Sequence, residues 1–232
     1  ERVTARLTRD GNVEAFEIKG SLTLTAADDD AALCSVQLNV SGGEGFTFMT
    51  HPKVNKSVYD QSQLLQLKDT TKGFPSSRPV GILRWNHSST SDEMVPLKIN
   101  CWPEEESRGQ MNVSIEYEMD QNLLLQNVSI RIPLGTSETP KILGVNGNYR
   151  HDAKEGELIW EIDMIDSSNN TGSLEFTIAQ RDADAFFPIA VDFASPQLYC
   201  NAEVASVRSV ATNGAIQYGL TKGLLSDEYT IV

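Results

Sequence analysis

Apolar and polar residues alternate along most of this chain. Met111, Val113, Ile115, Tyr117 and Met119 are separated by Asn112, Ser114, Glu116 and Glu118, a period of two that gives a strand one apolar and one wet face. The spacing recurs in Val128, Ile130, Ile132 and Leu134, in Leu158, Trp160, Ile162 and Met164, and in Leu174, Phe176 and Ile178. Ile189, Val191 and Phe193 repeat it, and a last stripe is expected at Ile216, Tyr218 and Leu220. Near the start, Phe16, Ile18, Leu22 and Leu24 surround Gly20, read as a bulge or bend. Val36, Leu38 and Val40 are expected to pair antiparallel with that segment. Pro133 has no N–H to donate, so its strand must end there or lie at an edge.

Turn signals punctuate these runs at Asp10-Gly11-Asn12, Ser41-Gly42-Gly43, Asn146-Gly147-Asn148, Lys154-Glu155-Gly156 and Asn213-Gly214. Short strands with such spacing predict an all-β sandwich architecture rather than alternating strands and helices. Only Ser57 to Lys68 suggests a helix, through Val58, Gln61, Leu64, Leu65 and Lys68. No internal repeat or low-complexity linker interrupts the pattern.

The 232 residues are 40% hydrophobic and 7% aromatic, enough to bury a sizeable core. Nineteen basic against 32 acidic residues give a net charge of −13, a field that repels phosphate backbones and argues against nucleic acid as a partner. No apolar run approaches the roughly 20 residues needed to span a bilayer. The opening Glu1-Arg2-Val3-Thr4 is strand-like and carries no signal-peptide core. Three widely spaced cysteines, Cys34, Cys101 and Cys200, read as reduced core thiols of a cytosolic protein. Six Asn-x-Ser/Thr sequons, at Asn39, Asn55, Asn86, Asn112, Asn127 and Asn169, keep open an alternative, a secreted or cell-surface β-sandwich adhesion domain. Several fall on alternating strand patterns, where a glycan would crowd the sheet.

Catalytic chemistry needs a constellation, and none is written here. The chain has no Gly-x-Ser-x-Gly elbow, no phosphate-cradling glycine loop and no His-Glu-x-x-His pair. His51, His87 and His151 are far apart, and His151-Asp152 sits in what reads as a polar turn. Asp28-Asp29-Asp30 and Glu104-Glu105-Glu106 lack the spaced ligands of a calcium loop and read as solvated segments. The expectation is a non-enzyme with no cofactor, no metal site and no catalytic residue.

Eight phrases stand in a fixed order. They are Gly45 to Pro52, Gly81-Ile82-Leu83-Arg84-Trp85, Pro96 to Pro103, Asn112 to Glu118, Gly147 to Asp152, Leu158-Ile159-Trp160, Gly172 to Phe176 and Phe186 to Ile189. In that order the chain resembles the C-terminal mu-homology domain of the delta subunit of coatomer, over nearly its whole length. The resemblance implies two antiparallel β-sandwich subdomains, the second inserted in the first, with residues 1–93 and 186–232 forming subdomain A and 94–185 subdomain B. It implies a cytoplasmic COPI coat component, peripheral on Golgi membranes and transport vesicles, working in Golgi-to-ER retrograde transport. Partners implied are tryptophan-based motifs in unstructured segments of tethering factors and Arf GTPase-activating proteins, and other coatomer subunits through the rest of a longer chain.

Adaptor mu subunits of this fold bind tyrosine signals with a Phe and an Asp on the first strand and a Trp-x-Arg pair near the C-terminus. Here that last position reads Tyr218-Gly219-Leu220, and Glu1-Arg2-Val3 does not match the first-strand pair. Tyrosine signals are therefore not the expected ligand; the resemblance implies tryptophan motifs, held on a different surface from the tyrosine pocket. Two Trp rings of roughly 200 Å² each, at about 25 cal/mol/Å², bring on the order of 10 kcal/mol. Association and ordering remove at least about 4 kcal/mol, leaving weak binding, roughly micromolar or looser. The peptide-binding candidates are Phe46, Phe48, His51, Pro52, Lys56 and Trp85, which combine aromatics, a proline and basic groups. Trp102 and Trp160 are read as packing residues.

Overall fold

The structure, a computed structural model, describes residues 1–107, 109–119 and 123–232. Among these, strands β1 (Arg2–Leu7), β2 (Val13–Leu24), β3 (Cys34–Ser41), β4 (Thr47–Thr50) and β5 (Leu64–Leu65) come first. Strands β6 (Val80–Ser89), β7 (Lys98–Ser107), β8 (Gln110–Glu118), β9 (Leu125–Pro133), β10 (Lys141–Val145) and β11 (Asn148–Asp152) follow. Strands β12 (Glu157–Ile165), β13 (Thr171–Ile178), β14 (Ile189–Ser195), β15 (Asn201–Ser209) and β16 (Leu224–Ile231) complete the order. Among the described residues, α-helix is confined to α1 (Asp29–Ala32) and α2 (Lys56–Ser62). The chain is all-β, as its alternation predicts.

Both short helices have local causes. Asp28 caps α1, its carboxylate accepting from Ala31 N at 2.7 Å, so the acidic run is a helix start. Asn55 caps α2, accepting from Val58 N. The helix expected to run to Lys68 stops at Ser62 because Gln63 takes a left-handed conformation (φ 57°). Leu64 and Leu65 then pair with Gln37 and Val36 of β3, with Leu65 fully buried.

The contacts divide the chain into two compact units. One holds Glu1, Ile18–His87 and Leu198–Lys222; the other holds Arg2–Glu17, Ser88–Gln197 and Gly223–Val232. The expected limits at 93/94 and 185/186 both fall inside the second unit.

In the first unit, β3 lies between β15 and β5, antiparallel to both. Val36 and Leu38 therefore do not pair with β2, as the sequence suggested. They meet it across a packed core instead: Cys34, Val36, Leu38, Leu65, Ile82, Leu83, Trp85 and Cys200 form one cluster against which Leu22 and Leu24 pack. The chain crosses from one layer to the other through α1, which is no hairpin turn. Strand β4 pairs with β6 and ends its sheet's order.

In the second unit the order β11-β12-β9-β14-β16-β1 forms one sheet and β10-β13-β8-β7 another. Pairing is antiparallel except between β1 and β16, which run parallel with a register shift between Val3 and Ala5. Pro133 closes β9, a strand flanked by β12 and β14. The core holds Trp160, Phe176, Phe186, Leu97 and Ile99. Trp160 stacks at 5.4 Å from Tyr117 and donates its N–H to Asn146 O at 2.6 Å, so it is the packing residue expected. Trp102 is not: it stands 40% exposed on β7.

The stripe expected at Ile216, Tyr218 and Leu220 is no strand. Only Ala215 bridges to Arg208, and Tyr218 and Leu220 are 47% and 52% exposed. The C-terminal ladder strand is β16, whose alternation is broken where Glu228 adopts φ 53°. All three cysteines are buried free thiols.

Candidate functional site

Strand β4 leaves the first unit's sheet with an open edge. Its register against β6 sets Thr47 opposite Asn86, Phe48 opposite Trp85, Met49 opposite Arg84 and Thr50 opposite Leu83. His51 N donates to Ile82 O at 3.0 Å, so odd-numbered residues turn their backbone groups toward β6. The N–H and C=O groups of Phe48 and Thr50 then point to the free edge. Side chains alternate the other way. Phe48 packs on the core, its ring 6.3 Å from that of Trp85, while Met49 turns outward, 54% exposed.

A turn closes the strand. Val54 N donates to His51 O at 2.8 Å, and Lys53 N donates to His51 Nδ1 at 3.2 Å, which leaves the proton of the neutral ring on Nε2. Lys68 Nζ reaches back to Pro52 O at 2.9 Å. Beside this turn lies a dimple of about 230 Å³ lined by Met49, Thr50, His51, Pro52, Gly81, Leu83 and Arg84. That is smaller than the roughly 300–1,000 Å³ of small-molecule sites and suits a single anchoring side chain. Leu83 is its buried floor, and Arg84 is an exposed cation on its wall.

Of the six residues singled out from the sequence, His51 and Pro52 line this dimple. Phe46 stacks on His87 with ring centroids 5.2 Å apart and packs on the core. Lys56 sits on α2, paired with Asp60 at 2.6 Å. Trp85 is 5% exposed and is held from within. Its N–H donates to Glu1 Oε1 at 2.8 Å, and the same carboxylate accepts from Tyr199 N and Cys200 N at 2.7 and 3.0 Å. Sequence reasoning missed Met49 and Arg84. The signal was present: once Phe48 faces the core, period two turns Met49 out, and the register brings Arg84 beside it.

A second, larger groove of about 370 Å³ opens in the same unit, lined among others by Leu22, Leu24, Ala27, Ile216, Tyr218 and Leu220. Tyr218 is tied there by its hydroxyl, which donates to Val204 O at 2.9 Å.

The model of the adaptor complexes medium subunit family matches residues 1–231. All of the chain aligns with the probable coatomer subunit delta of Caenorhabditis elegans at 32% identity and with coatomer subunit delta of Dictyostelium discoideum at 35%. It spans only 45% and 42% of those proteins. Among solved structures, a yeast delta-COP-I mu-homology domain matches with a TM-score of 0.85 and 27% identity, covering 100% of this chain and 95% of that one. The yeast domain complexed with a Dsl1 WxWxV peptide matches at 0.84 and 26%, with the same coverage. The Fcho1 Mu homology domain of Danio rerio, at 15% identity and a TM-score of 0.66, shares the fold.

Proposed function

The chain belongs to the adaptor complexes medium subunit family, and we propose that it is a non-catalytic vesicle-coat domain that captures short tryptophan-based motifs in unstructured protein segments. The observation that carries this reading is the open β4 edge with its dimple, set beside the likeness to a yeast domain solved with a WxWxV peptide. An extended peptide adds to β4 through the outward N–H and C=O groups of Phe48 and Thr50, the backbone mode by which sheet edges take up peptides. An indole then enters the dimple against the Met49 thioether and the Arg84 guanidinium, contacts worth about 0.5–1 kcal/mol each at exposed sites. Carboxylates beside the tryptophan are drawn to Arg84 and Lys53, a local basic edge on a chain of net charge −13.

The carriers of such motifs are tethering factors and Arf GTPase-activating proteins, and the setting is a COPI coat in Golgi-to-ER transport, cytoplasmic and peripheral on Golgi membranes. Among the described residues no helix is long and apolar enough to cross a membrane. The rest of a longer chain would contact other coatomer subunits.

Calorimetry tests the reading with a double-tryptophan peptide, its Trp-to-Ala control and a Tyr-x-x-Leu peptide. The first should bind near micromolar and the others at least tenfold weaker. Arg84→Glu and Met49→Ala should each weaken it, about tenfold and about threefold. Equal binding by the alanine control would refute motif recognition. Full binding by both variants would move the site away from β4.

A further inference from the structure

Trp102 breaks the polarity of its own strand. On β7, Ile99 and Cys101 are buried, and the opposite side carries Lys98, Asn100, Trp102 and Glu104. Trp102 is the one apolar residue on that water-facing side. It is 40% exposed, whereas Trp85 and Trp160 are buried and donate their N–H groups inside the protein. Its register neighbour Ser114 on β8 is too short to cover the indole, and beyond it stands Glu175 on β13. The next row sets Asn100 opposite Glu116 and Glu116 opposite Ser173, and the row after sets Lys98 opposite Glu118.

Carboxylates on this face lack internal cations. Lys98 is held by Asp92 at 3.1 Å, and among the described residues Glu104, Glu116 and Glu118 make no ion pair. A depression of about 480 Å³ is lined in part by Asn100, Glu116, Glu118, Thr171 and Ser173. An uncovered aromatic ring, a shallow trough and unpaired carboxylates therefore share one sheet face of the second unit.

We propose that this face docks a short, extended, lysine- or arginine-bearing segment of a partner protein. One cation of that segment lies on the Trp102 ring, and the next meets Glu116 and Glu118 in the trough. A cation over an indole gains from the ring quadrupole, and Arg or Lys stems cover the exposed ring. The charge pattern selects this occupant. An apolar segment would desolvate the carboxylates without pairing them, and an acidic one would be repelled. This face shares no residue with the β4 dimple, so the proposal does not depend on the tryptophan-motif reading.

The test is a ¹⁵N correlation titration of the 232-residue chain with an eight-residue peptide alternating Lys and Ser, and with a Glu-for-Lys control. The Trp102 indole N–H and the amides of Ser114 and Glu116 should shift saturably with the lysine peptide and not with the control. Trp102→Ala should weaken binding about two- to fivefold, and Glu116→Lys about fivefold or more at low salt, with the difference shrinking as salt rises. Glu138→Lys, an exposed charge reversal in the same unit, sets the effect of net charge alone. No saturable shift at Trp102 overturns the proposal. So does a loss from Glu138→Lys equal to that from Glu116→Lys, which would reduce the effect to the overall field of the protein.

Discussion

Gly20 and Trp85 form a pair whose disruption has a calculable effect. A Cβ on Gly20 would overlap Cε2 and Nε1 of the Trp85 indole, so β2 carries glycine there to let the ring lie against its backbone. The ring has nowhere cheap to go: it is 5% exposed and its N–H is bonded to the Glu1 carboxylate at 2.8 Å. Gly20→Ala must therefore push the indole off its position. Overpacking of this kind costs about 1–3 kcal/mol. Parting the indole donor from a carboxylate acceptor inside the protein costs about 1–3 kcal/mol more. Lower backbone entropy in the unfolded chain returns about 0.5 kcal/mol. The net loss is about 3 kcal/mol, or a fall in Tm of about 6–12 °C for a chain of this length. Urea unfolding followed by circular dichroism measures it, and the double-mutant cycle supplies the decisive comparison. In a Trp85→Leu background the same alanine should cost about 2 kcal/mol less, since the atoms it strikes are gone. A loss below about 0.5 kcal/mol, or an equal loss in both backgrounds, would refute the contact as the cause.

Other outcomes follow from the buried groups. Burial pushes the Cys101 thiol up to about 12, against a small opposing pull from Arg9, and burial then Glu1 raise Cys200 to about 11. In the unfolded chain these thiols ionise near 9, so the stability they contribute is complete below that pH and drains away as pH climbs toward 12. Cys101→Ala should flatten the decline in unfolding free energy by about 1 kcal/mol between roughly pH 9.5 and 10.5; an unchanged slope would exclude that thiol. Tyr229, fully enclosed, donates its hydroxyl to Leu97 O, so Tyr229→Phe should cost about 1–2 kcal/mol in denaturant unfolding with the fold retained. Leu220→Arg should not create measurable affinity for a Tyr-x-x-Leu peptide in calorimetry, because the Tyr218 hydroxyl is tied to Val204 O and β1 carries neither a Phe nor an Asp.

What the sequence determined by itself is the division of each strand into an inner and an outer face. Alternation at Met111–Met119 and Leu174–Ile178 reads directly as burial, because a strand's side chains must point to opposite sides whatever lies next to it. The ordered phrases likewise carried the family without any coordinates. Partnership between strands was not legible. The alternation of Val36 and Leu38 fits a ladder beside β2, yet they lie across the core from it, since two apolar stripes fit equally well as ladder neighbours or as facing layers. The candidate site shows the same limit. Phe46, Phe48 and Trp85 are aromatic because the core needs them, and only the register against β6 reveals that Met49 and Arg84 face outward beside His51 and Pro52. Trp102 is the converse case, an indole that alternation placed on the wet side and composition alone made look like core. Local chemistry sets which way a side chain points; long-range pairing sets what it meets there.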